Sequence, residues 1–256
     1  HGFETIELFA TRSHFDYHDA SAIEHLENWL RNACLTLHGI HAPIVVSLRG
    51  DEWGPAFSNA TLDPSARQRS ITEAQAALQI ARRIPTNVLV VHLGLPRNQK
   101  IPPHDNNREA ARSSVEQLCK LTSETNIRLA LEIIPNELST ATALVDLLEN
   151  HVDCPTAGIC LDVGHAFLMG DLVEAIETAS GHIITTHVHD NGGKSDEHLV
   201  PFEGRIDWPA ALTALQKVGY EGTILLELGN TSSSGQVLQK AREARARMEE
   251  ILSSAA

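Results

Sequence analysis

The sequence predicts an α/β barrel of the TIM (β/α)8 type, and three observations favour this fold. Short apolar runs alternate seven times with longer amphipathic stretches, which indicates parallel strands joined by helical crossovers. The length of 256 residues suits one barrel, and no linker, repeat or change of composition divides residues 1–256. The glycine-rich phosphate fingerprint of an open dinucleotide-binding sheet is absent from the sequence. Seven units instead of eight indicate that the first strand and helix of the barrel are absent from this chain.

The individual elements follow from the spacing of apolar residues. Strands are predicted at 4–10, 35–43, 87–94, 127–134, 158–164, 182–189 and 223–229. Helices, in which apolar residues recur three and four positions apart, are predicted at 20–33, 64–84, 107–125, 141–151, 171–180, 207–219 and 235–252. Helix starts are marked by Asp63 before Pro64, by Asn107 and by Asp207. The chain that leaves the strand at 158–164 is predicted to be a loop.

Charge and hydropathy argue against several classes of protein. Lys and Arg number 20 against 33 Asp and Glu, and the net charge of −13 repels polyanions, so nucleic acid is an unlikely partner. No apolar run approaches the roughly 20 residues of a membrane span, so no membrane partner is expected. The N-terminal residues do not resemble a signal peptide, and a chain beginning at His1 is not expected to be a natural start.

The cysteines give a prediction about the cellular compartment. Cys34, Cys119, Cys154 and Cys160 are scattered along the chain and none of them forms a CxxC pair. Disulfides are rare in reducing compartments, and nothing in this spacing indicates a disulfide framework. We therefore predict four reduced thiols in a cytoplasmic protein.

Residues of the types that bind metals fall near the same end of six successive predicted strands. They are His41, His92, Glu132, Asp162, His187 and Glu227. The functional groups of a barrel gather at the C-terminal ends of its strands, so we expect these side chains to meet. A carboxylate inside an apolar strand, as in LALEII and ILLELG, is costly unless it is paired or binds a cation. Alone, each residue could be structural; together they predict a site for a divalent metal.

Further candidates lie in predicted loops. His165 follows Asp162 by three residues, and Asp196 and His198 form a D-x-H pair beyond two glycines. Mixed imidazole and carboxylate ligands suit Zn²⁺, Mn²⁺, Fe²⁺ or Co²⁺ better than Ca²⁺. His189 and Asp190 are predicted to orient ligands rather than to bind the metal.

Three other residues have a functional and a plain structural interpretation. Trp53, in the loop 49–57 on the catalytic side, is predicted to contact the substrate, or else it packs over the barrel mouth. Phe15 and Tyr17, in the loop 12–19, have the same two interpretations. Arg205 is predicted to bind a phosphate or hydroxyl group, or else it is a solvated loop arginine. His38 is predicted to face a helix or solvent.

The ordered motifs resemble those of the xylose-isomerase-like TIM barrel superfamily over nearly the whole chain. The motifs are HAP (41–43), VVHLG (90–94), LEIIPN (131–136), CLDVGHAF (160–167), HVHDN (187–191), DEHLVPFEGRID (196–207) and LELG (226–229). This superfamily contains sugar and sugar-phosphate isomerases and epimerases, and also AP endonucleases of the endonuclease IV type. In one departure from its pattern, Phe202 stands where a glycine usually follows the proline.

The resemblance implies two sets of ligands. Isomerases and epimerases of the family match this chain at the four metal ligands Glu132, Asp162, His187 and Glu227. The endonuclease branch, which holds three zinc ions, adds positions that match His41, His92, His165, Asp196 and His198. These five are therefore candidates for a second metal or for substrate binding.

The resemblance implies a divalent-metal-dependent isomerase or epimerase of a sugar, sugar phosphate or related polyol. A metal-stabilised enediolate would form, with Glu132 and Glu227 as catalytic base and acid. The alternatives are a metal-cluster phosphodiesterase of the AP endonuclease type, which the acidic charge disfavours, and a dehydratase or lyase on the same scaffold. The expected substrate is a small carbohydrate and the expected cofactor is Zn, Mn, Co or Fe, with no nucleotide. Association into a homo-oligomer is left open.

Overall fold

A computed structural model describes residues 1–49, 52–97, 101–102, 104–229 and 233–254. The strands are β1 (Thr5–Phe9), β2 (Thr36–His41), β3 (Leu48–Arg49), β4 (Glu52–Trp53), β5 (Val88–Val91), β6 (Arg128–Glu132), β7 (Ala157–Asp162), β8 (Ile183–Val188) and β9 (Ile224–Leu226). Seven of them form one parallel sheet in the order β1-β2-β5-β6-β7-β8-β9. The seven predicted strands are thus confirmed. The short antiparallel pair of β3 and β4 was not predicted.

The parallel sheet curls into a nearly closed barrel. The strands β1 and β9 are its edges in the described part of the chain. Glu7 on β1 nevertheless reaches His187 on β8, with 2.7 Å between Oε1 and Nε2. His38 on β2 likewise reaches Thr185 on β8, with 2.9 Å between Nε2 and Oγ1. The predicted TIM-type fold is therefore confirmed, and the gap of the predicted incomplete barrel lies between β1 and β9.

Alternation along the strands separates two apolar layers. Leu89, Leu129 and Leu131 belong to the main core between sheet and helices. A smaller cluster inside the barrel contains Val88 and Val90 of β5, Ala130 of β6 and Cys160 of β7. Successive side chains of a strand point to opposite faces. A residue two positions beyond an interior one therefore also points inward, which directs Glu132 and Asp162 into the barrel at the ends of their strands.

Eight helices surround the sheet in the described residues. They are α1 (Ala20–Ala33), α2 (Pro64–Ala77), α3 (Arg108–Ser123), α4 (Ala141–Asn150), α5 (Val163–Met169), α6 (Leu172–Thr178), α7 (Trp208–Lys217) and α8 (Ser234–Ser254). The side chains of Asp63, Asn107 and Asp207 accept hydrogen bonds from backbone N–H groups at the starts of α2, α3 and α7. These three predicted caps are confirmed. No described helix is both long and apolar enough to span a bilayer.

Two predictions about local structure are wrong. The predicted loop after 158–164 contains α5, which Asp162 caps by accepting a hydrogen bond from the backbone N–H of His165 at 2.6 Å. The helix α5 follows the last residue of β7 directly, and its sequence VGHAFLM is almost wholly apolar, so it shows no amphipathic period. The predicted helix 64–84 ends at Ala77, and residues 78–84 form turns instead.

The prediction of four reduced thiols is also wrong. Cys119 of α3 forms a disulfide with Cys154, which lies in the connection before β7. The two cysteines are 35 positions apart in the sequence. Cys34 is a free exposed thiol and Cys160 a free buried one. The pairing was not predictable from spacing, because only the packing of α3 beside the connection between α4 and β7 brings the two sulfurs together.

Candidate metal centre

Three groups of histidines and carboxylates that could bind metals meet at the C-terminal ends of the barrel strands, and a fourth group, in which Cys160 joins Glu132 and His187, overlaps the central one. The central group contains Glu132, Asp162, His187 and Glu227, whose ligand atoms all lie within 4.8 Å of one another. His187 Nδ1 is 3.1 Å from Glu227 Oε2 and 3.4 Å from Glu132 Oε1. The four strands β6, β7, β8 and β9 each deliver one of these residues within one position of their last residue. These four side chains therefore lie close together.

The central group fits a divalent cation. Asp162 Oδ2 and His187 Nδ1 are buried and have no hydrogen-bond partner in the described structure. Both atoms approach other polar side chains to within 3.4 Å, but not in hydrogen-bond geometry. A buried polar atom without a partner costs roughly 1–3 kcal/mol. Lone pairs that converge on one point would be satisfied by a cation among them, and carboxylates with an imidazole are suitable donors for it.

A second group is built around the other oxygen of Glu132. His41 Nε2 lies 3.0 Å and His92 Nε2 lies 3.1 Å from Glu132 Oε2. His41 Nδ1 lies 2.9 Å from the carbonyl oxygen of Ala42, which can accept a hydrogen bond from it. In that tautomer Nε2 has a free lone pair facing Glu132. Glu132 therefore belongs to two groups, as a bridging carboxylate would.

The third group contains His165, His189, Asp196 and His198. Asp196 Oδ2 lies 3.1 Å from His165 Nε2 and 3.2 Å from His198 Nε2. The Nδ1 atoms of these two histidines lie 3.1 Å from backbone carbonyl oxygens of Ile133 and Glu227, respectively, which leaves Nε2 facing the group.

His189 was predicted to support ligands, but the structure places it among the third group of potential ligands. Its ring is fully buried and neither nitrogen has a hydrogen-bond partner in the described residues. The ring occupies the space beside Gly164, where a Cβ atom would collide with it. The strand-end pattern HVH did not reveal this, because the space at Gly164 is a tertiary feature.

Asp190 supports the site by anchoring a loop, and not by contacting a metal ligand directly as predicted. It contacts none of the three groups by hydrogen bond or ion pair in the described structure, and instead it organises the loop that carries Asp196 and His198. Its carboxylate accepts hydrogen bonds from the backbone N–H groups of Asn191, Phe202 and Ile206 and from the indole N–H of Trp208. The loop is therefore anchored at both of its ends.

The contacts of Phe202 explain how this chain accommodates a residue other than the usual glycine at this position. Its φ of 76° lies in the left-handed region that glycine adopts most readily. The phenyl ring lies 5.8 Å from the Trp208 ring and 3.8 Å below the Arg247 guanidinium, and the backbone N–H donates to Asp190. These contacts hold a side chain in a position that the backbone disfavours.

The buried charges shift the pKa values of the site. Burial alone would raise the pKa of Glu132, but His92, His187 and His165 outweigh it and hold the pKa well below its ordinary value. For Glu227, His187 likewise outweighs burial and lowers the pKa. Burial opposes protonation of His198, yet Asp196 and Glu227 raise the pKa of His198 to about 9. Without a metal, the site therefore holds ionised carboxylates against imidazoles whose pKa values are raised, those of His165, His187 and His198, whereas burial lowers the pKa of His92.

Some predicted residues are not brought to the site. Arg205 is exposed, and Trp53 on β4 is 53% exposed; neither side chain makes a hydrogen bond or ion pair with the three groups in the described part of the chain. Tyr17 is buried, and its hydroxyl group donates to Glu73 of α2, so it belongs to the packing under the loop. His38 is buried inside the barrel between Thr185 and Thr223, contrary to the prediction that it faces a helix or solvent.

One interior carboxylate was not predicted at all. Glu7 of β1 points into the barrel and contacts His187. The signal was the same one that identified Glu132 and Glu227, a carboxylate within an apolar strand, here ETIELFA. It was missed because Glu7 lies in mid-strand rather than at the strand end.

The fold and this arrangement of ligands define the class of the protein. The chain belongs to the xylose isomerase-like TIM barrel family, whose sequence model matches residues 1–251. An uncharacterized protein of Methanocaldococcus jannaschii is 28% identical over 241 residues, which are 90% of this chain and 76% of that protein. The inosose isomerase of Bacillus subtilis is 28% identical over 178 residues, which are 65% of this chain and 62% of that enzyme.

Solved structures share the fold. A D-tagatose 3-epimerase-like protein superposes with a TM-score of 0.80 at 24% identity, covering 100% of this chain and 90% of its own. The IOLI protein, solved with a bound zinc atom, superposes with a TM-score of 0.77 at 18% identity over the same shares of the two chains. Relatives with named activities include an inosose isomerase and an L-ribulose-5-phosphate 3-epimerase.

Proposed function

We propose that the protein is a divalent-metal-dependent isomerase or epimerase of a sugar, sugar phosphate or related polyol. The observation that carries this proposal is the pair Glu132 and Glu227, two ionised carboxylates within one group of ligands, on either side of His187 Nδ1. Isomerisation and epimerisation need a base at a carbon next to an oxygen and a means of holding that oxygen. The sugar isomerases and epimerases among the relatives support the same class of reaction.

Glu132, Asp162, His187 and Glu227 would hold the metal, as the unpaired atoms of Asp162 and His187 suggest. A bound divalent ion would supply a Lewis acid that polarises substrate oxygens. The identity of the ion is part of the proposal; zinc, manganese, cobalt and iron all suit one imidazole with three carboxylates.

The two glutamates carry the proton transfer. Their lowered pKa values keep both carboxylates ionised, so either one can accept a proton from a substrate carbon. Glu132 is restrained by His41 and His92, whereas Glu227 is 29% exposed and lies towards solvent. We therefore assign the removal of the proton to Glu132 and its return to Glu227, which would have to carry a proton to act as the acid.

We assign the third group to a second divalent ion rather than to substrate hydroxyls. His189 offers two unpaired nitrogens and Asp196 one unpaired oxygen, and all three atoms are buried. Three imidazoles and one carboxylate are a ligand set typical of zinc. A sugar hydroxyl could hydrogen-bond only one or two of these atoms.

A second candidate function is a metal-cluster phosphodiesterase of the AP endonuclease type. The specific observation in its favour is that the nine ligand residues that such a site would use form contiguous groups, joined by the contacts of His165 with Glu132 and Asp162. The net charge of −13 opposes it, because binding a phosphate backbone normally requires a basic surface. A dehydratase or lyase on the same scaffold is a further alternative.

One experiment separates these functions. The purified protein is analysed for metal content and then assayed with ketoses, phosphorylated sugars, inososes and an abasic DNA duplex, before and after treatment with a chelator. We expect sugar turnover that disappears with the metal and returns when the metal is restored. Full activity after complete metal removal would contradict the proposal. Cleavage of abasic DNA without turnover of any sugar would favour the phosphodiesterase.

A further inference from the structure

We infer that Glu7 is a positioning residue that orients the metal ligand His187 and determines which of its ring nitrogens faces the metal. The inference rests on the proposed function, since it requires a metal at His187. It concerns a residue that lies outside the three groups of ligands.

The two nitrogens of His187 have different surroundings. Nε2 lies 2.7 Å from Glu7 Oε1, in hydrogen-bond geometry, while Nδ1 faces Glu132 and Glu227 and has no hydrogen-bond partner in the described structure. An ionised carboxylate only accepts hydrogen bonds, so the proton of this bond belongs to Nε2. Nδ1 is then the nitrogen that has a lone pair for a metal.

Both partners are immobilised by burial. The His187 side chain is fully buried and that of Glu7 is 8% exposed. Charge-assisted hydrogen bonds are stronger than neutral ones, and water does not compete effectively at this depth. A histidine ligand whose other nitrogen donates to a carboxylate is a more basic donor in a defined orientation.

The fold creates the space that Glu7 occupies. Pairing of β1 with β2 shifts register after Ile6, so that Ile6 lies opposite Leu37 but Glu7 lies opposite Gly39. A Cβ atom at Gly39 would collide with the Glu7 carboxylate, so no other residue type fits there without displacement. The irregular register and the glycine together direct the carboxylate inward.

Glu7 is placed there at a cost to stability. Its Oε2 atom is buried without a hydrogen-bond partner in the described residues, which is unfavourable for a carboxylate. Nothing in barrel packing requires this, because an apolar residue at position 7 would fill the interior without an unpaired charge. The contact with His187 is the interaction that accounts for a carboxylate at this position.

The test compares zinc affinity in four proteins by competition with a chelator. The variants are Glu7→Ala, Glu7→Gln and the control Glu4→Gln, which changes an exposed glutamate just before β1. We expect the Kd for zinc to rise by about 10- to 100-fold in Glu7→Ala. Glu7→Gln is expected to weaken binding less, because its amide oxygen still accepts the Nε2 proton. Glu4→Gln is expected to match the wild type.

A spectroscopic measurement tests the orientation directly. In zinc-loaded wild-type protein containing ¹⁵N-labelled histidine, we expect His187 to show a proton on Nε2 and metal coordination through Nδ1. The His187 signals are assigned by their loss in His187→Gln. Coordination through Nε2 would overturn the inference even if the affinities changed as expected.

The outcomes distinguish the inference from the proposed function. A wild-type protein that takes up no zinc, manganese, cobalt or iron would overturn the metal site and this inference with it. A wild-type protein that binds zinc while Glu7→Ala binds within about twofold of the same affinity would overturn the role of Glu7 alone. Circular dichroism confirms that each variant is folded before its affinity is compared.

Discussion

His189 Nε2 lies 3.1 Å from Asp162 Oδ1, and both side chains are fully buried. Asp162 belongs to the central group of ligands and also accepts the hydrogen bond that begins α5, whereas His189 belongs to the third group. One carboxylate therefore joins a strand end, a helix start and two candidate metal positions.

Glu132→Gln and Glu227→Gln are each expected to abolish turnover, because an amide cannot accept the substrate proton. Their effects on metal binding should differ. Glu132 contacts His41, His92 and His187, so Glu132→Gln is expected to lose more metal affinity than Glu227→Gln. Turnover and metal content are measured together, with the exposed Glu137→Gln as the control. An active double variant would remove the acid and base assignment.

His189→Ala is expected to lower the metal content by one ion per chain while the central ion is retained. The physical reason is that the third group loses one of its three imidazoles, whereas the central group loses none. Elemental analysis of protein dialysed against zinc measures the count. His182→Ala, at the opposite end of the same strand and paired with Glu149, is the matched control. An unchanged metal count in His189→Ala would assign the third group to something other than a metal.

The stability of the metal-free protein is expected to fall as pH rises from about 6.5 to 9. Burial opposes the charge on His198, but Asp196 and Glu227 raise its folded-state pKa from 6.5 to about 9. A raised pKa contributes stability below the unfolded-state value, and this contribution disappears as pH passes the folded-state value.

Asp196 acts in the opposite direction. Its pKa is lowered from 3.8 because His165 and His198 outweigh burial, so its contribution is present above pH 3.8 and is lost in acid. Zinc requires neutral imidazoles, so the increase in Tm caused by zinc should grow between pH 6.5 and 9. Thermal unfolding with and without zinc measures both trends. A zinc effect that shrinks over this range would contradict the prediction.

Cys119→Ser is expected to destabilise the protein by about 2–4 kcal/mol, because the disulfide with Cys154 restricts the unfolded chain. Denaturant unfolding measures the difference, and Cys34→Ser, which changes the exposed free thiol, is the control. The native protein should show one reactive thiol, that of Cys34, since Cys160 is buried.

A reactive thiol at Cys119 or Cys154 in the native protein would contradict the disulfide. A disulfide is uncommon in a reducing compartment. The expected cytoplasmic location therefore stays a prediction, which fractionation of the source cells would test.

The strands and most helices could be predicted because their signals are local. The apolar run of 127–134 and the spacing of apolar residues in 107–125 depend only on neighbours in sequence, and the structure places β6 and α3 there. The helix α5 could not be predicted because its nearly all-apolar sequence has no amphipathic period. The strands β3 and β4 could not be predicted because each has only two residues.

The candidate site was predictable to the extent that strand ends share one edge of a parallel sheet. Glu132, Asp162, His187 and Glu227 meet because four strands end at the same level. Glu7 and the position of His189 were not predictable in this way. They depend on a register shift opposite Gly39 and on the space left at Gly164, and both are properties of packed chains rather than of sequence patterns.

By itself, the sequence determined the class of fold, the order of the parallel strands and the residue types at their ends, because alternation and capping act over short distances. Only the tertiary structure decided how those residues are grouped: that Glu132 is shared, that His189 faces Asp196, that Glu7 supports His187 and that Cys119 meets Cys154. The reason is that these contacts join segments far apart in sequence. Whether such residues come within contact distance depends on how the sheet curls and how each helix packs on it.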